Sequence, residues 1–145
     1  MLIRSILAAK GTTVATTRSS ATVRDAVMTM RELGISALVV SDAERRIDGI
    51  VSDRGIIRAL ADRGVGIMDN PVTEVMTREV VTCTPDDHVT AVMNLMSERR
   101  IRHIPVADGD GLLAGLVSIG DVVKHRIDEI RDEAEHMRDY ITNAR

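Results

Sequence analysis

The stretch Gly115-Leu116-Val117-Ser118-Ile119-Gly120-Asp121 decides how this chain is read. Apolar Leu116 and Val117, after Gly115, read as the end of a buried strand. Ser118 then stands where a helix N-cap belongs, with Asp121 three residues on. Val122, Val123 and Ile127 supply the apolar face of the helix that follows. A strand running into a helix start presents free backbone N–H groups and the positive end of the helix dipole, which suits a phosphate. A carboxylate in the first turn can also accept hydrogen bonds from ribose hydroxyls, as in dinucleotide folds. The same Ser-x-x-Asp is an ordinary capping box, so the stretch alone leaves both readings open.

A copy of it lies 66 positions earlier, at Gly49-Ile50-Val51-Ser52-Asp53-Arg54-Gly55. That offset holds without a gap over residues 14–58 against 80–124. Identical pairs include Val14 and Val80, Met30 and Met96, Ile35 and Ile101, Val40 and Val106, Gly49 and Gly115, and Ser52 and Ser118. The chain is a tandem of two similar units.

Each unit reads β-α-β-β-α. In the first, residues 14–17 form a strand, and Thr22 with Asp25 caps a helix that ends at Gly34. Strands follow at 35–40 and 47–51, then a helix at 53–62. Residues 63–71, rich in Gly and ending in Pro71, form a linker. The second unit repeats this with a strand at 80–82, a helix at 89–100 and strands at 101–106 and 112–117. Pro105 lacks an N–H, which predicts a sheet edge. Ile3, Ile6 and Leu7 have helical spacing and form a short turn before the first unit, echoed by Val72, Val75 and Met76. A last helix runs from Val122 to about Ile141. Its narrow stripe of Ile127, Ile130, Ala134, Met137 and Ile141 needs a partner: the N-terminal turn, the module itself or a second chain. The expected division is 1–66 for the first unit with its leading turn, 67–126 for the second and 127–145 for a helical tail.

Composition narrows the function. The chain has no Phe, no Trp and one Tyr, so its core is aliphatic and it lacks the stacking platforms of single-strand nucleic acid binders. A net charge of −3 gives no field that favours a duplex. Cys83 is the only cysteine, so no intrachain disulfide forms, and no apolar run approaches the ~20 residues of a membrane span. The N-terminus is too short and broken for a signal peptide. A cytoplasmic protein, with no nucleic acid or membrane partner, is the expectation.

With these residues in place, the chain resembles a tandem of cystathionine-β-synthase (CBS) domains, or Bateman module. Arg102-His103-Ile104-Pro105-Val106 resembles the family's second-strand motif, and the Ser118 stretch its ribose motif. The resemblance implies pseudo-twofold symmetry and two clefts that bind AMP, ADP, ATP, NAD or S-adenosylmethionine. It implies that Ser118 and Asp121 hold ribose or phosphate in one cleft. The backbone at His103 and Ile104, with Pro105, would meet the adenine, and Thr77 and Val80 would close its other side. Apart from the resemblance, the basic run Arg99 to His103 reads either as a solvated helix C-terminus, where cations favour the dipole, or as a cleft mouth where Arg102 or His103 contacts a phosphate. In the other cleft the matching residues are Ser52, Arg54, Thr13, Val14, Ala37 and Leu38. That cleft is expected to be weaker, because the offset pairs Asp121 with Gly55. Asp53, two residues earlier, is turned by ~200° around the helix axis. Arg54 at a helix start, where cations are disfavoured, fits a bound anion.

His88, His103, His125 and His136 have no metal-ligand spacing, and Cys83 reads as a small core residue rather than a nucleophile. No P-loop or nucleophile constellation supports a nucleotide hydrolase. The sequence reads as a regulatory module without catalysis, paired as a homodimer, with an adenosine ligand and an unidentified protein partner. The rival is a structural dimerisation protein of the same fold that binds no nucleotide.

Overall fold

A computed structural model of the chain describes residues 1–144. Its elements are α1 (Ile3–Lys10), β1 (Thr16–Thr17), α2 (Val23–Leu33), β2 (Ala37–Val40), β3 (Gly49–Ser52) and α3 (Asp53–Arg63) in the first unit. Two 3₁₀ turns, Val65–Asp69 and Val72–Glu74, lead to α4 (Val89–Arg99), β4 (His103–Ala107), β5 (Leu113–Ser118) and α5 (Ile119–Asn143). β1 pairs parallel with β2, β2 antiparallel with β3, and β4 antiparallel with β5.

The local signals do their expected work. Thr22 Oγ1 accepts from the Asp25 amide at 3.1 Å and the Asp25 carboxylate accepts from the Thr22 amide, a reciprocal cap for α2. Gly34 ends that helix in the left-handed region, at φ 63°. Ser118 and Asp121 make the same reciprocal cap on α5, with Ser118 Oγ accepting from the Asp121 amide at 3.2 Å.

Two aliphatic cores form, and they cross the order of the chain. Val23, Ala26, Met30, Leu38, Val40, Val51 and Ile56 build the first, joined by Ile67 from the segment expected to be a linker and by Val72 from the turn after it. The second gathers Cys83, Val89, Val92, Met96, Ile104, Val106, Val117 and Val122, joined by Ile3, Ile6 and Leu7 of α1. The leading turn grouped by sequence with residues 1–66 thus packs in the second core. The glycines show how. A Cβ on Gly115 would stand 2.6 Å from Leu7 Cδ2, and one on Gly49 would stand 2.6 Å from Met76 Sδ. Each unit's leading segment lies across the other unit's last strand, and only glycine lets it close in. Burial pushes the Cys83 thiol up to about 12, which keeps it protonated and inert.

Pro105 stands on an edge strand, as expected, because the sheet of β4 and β5 has only those two strands. It sits inside β4, paired with Leu116, with the segment at Cys83 on its other side. In the first unit Val39 donates its amide to the Ala15 carbonyl, and Ser41 donates to Thr17. In the second unit Ala107 donates to Cys83, the repeat of the Ser41 bond. Pro105, standing where the first unit has Val39, has no amide to give. The strand expected at 80–82 is therefore reduced to an isolated bridge between Cys83 and Val106.

Candidate functional site

Two clefts open between the units. The larger, about 560 Å³, lies in front of Ser118 and is lined by Lys10, Thr13, Val14, Ala15, Gly34, Ile35, Ser36, Ala37, His103 and Leu116. The smaller, about 140 Å³, lies in front of Ser52 and is lined by Ile50, Arg54, Gly55, Arg58, Thr77, Arg100, Ile101, Arg102 and His103.

This exchanges the grouping that the resemblance implied. Thr13, Val14 and Ala37 face Ser118, whereas Thr77 and Arg102 face Ser52. The crossed leading segments account for Thr13, Val14 and Thr77. α1 lies on β5 and delivers Thr13 and Val14 beside Ser118. The segment after Val72 lies on β3, where Thr77 and Ile50 exchange backbone hydrogen bonds of 2.9 and 3.0 Å. Leu38 and Ile104 are fully buried in the two cores, so their side chains face away from both clefts. Pro105 is buried and Val80 half-buried, and neither lines a cleft.

Asp121 is not a free carboxylate. Its Oδ2 accepts from Lys10 Nζ at 2.7 Å and from the Ser118 amide at 2.8 Å. Lys10 Nζ also donates to the Leu116 carbonyl at 2.9 Å. Burial works to raise the Asp121 pKa, but the Lys10 and Ser118 hydrogen bonds outweigh it and hold the carboxyl below its ordinary value. Asp121 does not line the cleft in front of Ser118; with Ile6, Ala9, Lys124, His125 and Asp128 it lines a separate hollow of about 210 Å³, and Lys10 stands on the wall of both.

The Ser52 cleft has a different charge. Arg54 and Arg58, four residues apart, share one face of α3, and Arg100 and Arg102 meet them from the second unit. Arg102 is tied to Asp53, Nη2 to Oδ1 at 2.6 Å; Arg54, Arg58 and Arg100 make no ion pair among the described residues. Arg100 holds a left-handed backbone at φ 54°, where its repeat mate is Gly34. Between the clefts, on the wall of both, His103 Nε2 meets Ser36 Oγ at 3.0 Å. Burial, then the neighbouring Arg102, pushes the His103 pKa down and keeps the ring neutral.

Lys10, Ser36 and Arg58 were not singled out in sequence. Lys10 is 111 residues from Asp121, and Arg58 reads as a solvated helix position. The one available signal was Gly115, which asks for something to lie close on its strand.

The chain matches the CBS domain family over residues 11–62 and 72–128. It is 38% identical over 124 residues to the CBS domain-containing protein CBSX3, mitochondrial, of Arabidopsis thaliana, covering 83% of this chain and 60% of that one. It thus spans less than two thirds of that relative's length. The CBS domain pair of protein MJ0100, solved with 5′-methylthioadenosine and S-adenosyl-L-methionine, superposes with a TM-score of 0.78 at 26% identity, over 89% of this chain and 98% of that one. The CBS domain protein PAE2072 of Pyrobaculum aerophilum, solved with AMP, superposes with a TM-score of 0.73 at 25% identity, over 83% and 89%. The repeat, the two clefts and these likenesses agree: this chain belongs to the CBS-domain family and carries the domain twice.

Proposed function

We propose that this chain is a regulatory module that binds an adenosine-containing ligand in the Ser118 cleft and carries out no catalysis. The observation that carries the reading is the size and lining of that cleft. Its 560 Å³ falls within the ~300–1,000 Å³ of small-molecule sites, and Val14, Ile35, Ala37 and Leu116 give an adenine aliphatic walls. The Ser52 cleft, at about 140 Å³, falls below that range, and its arginines suit an anion or a phosphate. The ligands of the two structural relatives, adenosine compounds with and without phosphate, support this class.

The signal would leave through Lys10. A ribose that takes Asp121 loosens the Lys10 contact and with it α1, which follows Met1, whose nitrogen lies 3.8 Å from Glu129 of α5. A second copy would pair on α2 and α3, where Leu33 and Ile57 are 58% and 63% exposed beside an apolar hollow of about 370 Å³.

The test is a thermal-shift series with adenosine, 5′-methylthioadenosine, S-adenosylmethionine, AMP, ATP and NAD. A ligand at a hundred times its Kd stabilises the native state by about 2.7 kcal/mol. Asp121→Ala should then weaken the best ligand roughly tenfold or more, from lost charge-assisted hydrogen bonds. If Asp121→Ala lowers only the melting temperature, Asp121 is a cap and nothing more. If no ligand in the series raises the midpoint, the structural dimerisation protein is the better reading.

A further inference from the structure

The tail carries a surface that the clefts do not use. Val123, Ile127, Ile130, Ala134, Met137 and Ile141 follow one another at alternating steps of four and three. At 100° per residue they fill an arc of about 80°. This is the 3.5-residue seam of a coiled coil, narrower than the face a helix lays on a core or a bilayer. The seam is open along its length, from Val123 at 42% exposed to Met137 at 68%.

The charges beside it select the occupant. Lys124, Arg131 and Arg138 stand every seventh residue along one flank, and Arg126, Glu133 and Tyr140 along the other. Asp128, Asp132, Glu135 and Asp139 lie on the back of the helix. Arg126 is paired with Glu129 at 3.1 Å, whereas Lys124, Arg131 and Arg138 make no ion pair among the described residues. An antiparallel second copy would set this basic flank against itself. A parallel copy would set Arg131 against Arg126 and Arg138 against Glu133, so a repulsion cancels an attraction. We propose that the seam docks an amphipathic helix of another protein, whose own apolar heptads are flanked by carboxylates facing Lys124, Arg131 and Arg138.

The full chain tests this against two labelled peptides of about three heptads that share one Leu/Ile seam, one with Glu on its flanks and one with Lys. The Glu peptide should bind roughly tenfold or more tightly than the Lys peptide. The triple substitution Lys124→Glu, Arg131→Glu, Arg138→Glu should reverse that order. Ile130→Asp should abolish binding; its side chain lies outside both cores, and an unchanged melting curve would confirm that the module still folds. Failure of the Glu peptide to bind, or equal binding of the two, overturns the proposal. So does a dimer in sedimentation that Ile130→Asp dissolves, which would make a second copy the occupant. Binding to phosphatidylserine vesicles that is lost in the triple variant, with no preference between peptides, would make it a membrane.

Discussion

Ser118 and Ser52 hold the same place in two copies of one motif. Each hydroxyl caps a helix, accepting an amide at 3.2 Å. The hollows in front of them are nonetheless unlike. One is about 560 Å³, walled by aliphatic groups, with its single cation held by a carboxylate. The other is about 140 Å³ and ringed by four arginines. The repeat fixes the strand, the turn and the cap. The character of each cleft is set partly by the helix behind the motif, which carries Arg54 and Arg58 where the second unit has Gly120 and Lys124, and partly by what the opposite unit brings across, which is α1 on one side and the Arg100 to His103 run on the other. Two copies of a motif can therefore share a backbone and still favour different chemical groups.

The sharpest way to break this comparison is to fill each cleft in turn. Of these two clefts, half-buried Val14 lines the larger, and also a neighbouring hollow beside Thr16 and Leu113; Thr77 lines the smaller. Val14→Trp should weaken the best adenosine ligand roughly a hundredfold in calorimetric titration, about the loss of 2.7 kcal/mol. Thr77→Trp should change it by less than about threefold. The opposite ranking would move the nucleoside to the Ser52 cleft.

Much of the fold was legible in sequence because its signals are local or exactly repeated in spacing. The 66-residue offset runs unbroken through helix, turn and strand, and Thr22, Ser118 and Gly34 cap or end the helices they announce. The grouping of the cleft residues was not legible. An apolar face at Ile3, Ile6 and Leu7 says that a helix must be buried, not on which unit. Placing it on β5 is a choice of tertiary packing, and it alone moves Thr13 and Val14 to the Ser118 side. The Lys10–Asp121 pair depends on the same placement. The expectation of a free carboxylate at Asp121 thus gave way to one already paired with Lys10.

Arg100 offers a smaller but two-sided test. A non-glycine residue in the left-handed region is strained by about 1 kcal/mol, and the first unit avoids this with Gly34. Arg100→Gly should relieve that strain, partly offset by a more flexible unfolded chain, and raise the melting temperature by about 1–3 °C. It should also weaken protection by inorganic phosphate severalfold, because one of the three unpaired guanidiniums at the Ser52 cleft is gone. A more stable variant with unchanged phosphate protection would remove Arg100 from the anion site and leave its strain without a role.

The least costly change probes the backbone difference itself. Val39 gives the first unit a hydrogen bond from β2 to Ala15, at 3.2 Å, that Pro105 denies to the second. Pro105→Val restores the amide and should let residues 81–83 pair as 15–17 do. The restored bond contributes about 0.5–1.5 kcal/mol, while losing proline's restriction of the unfolded chain costs about 0.4–1 kcal/mol. The two nearly cancel, so a melting curve should move by less than about 1 kcal/mol equivalent. Hydrogen exchange separates them where the melt cannot. The amide created at position 105 should be protected to the level of the neighbouring amides of β4, as the Val39 amide is in β2. Rapid exchange at position 105 would mean that the Cys83 segment is kept from pairing by something other than the missing donor, and the shortened strand of the second unit would then need another cause.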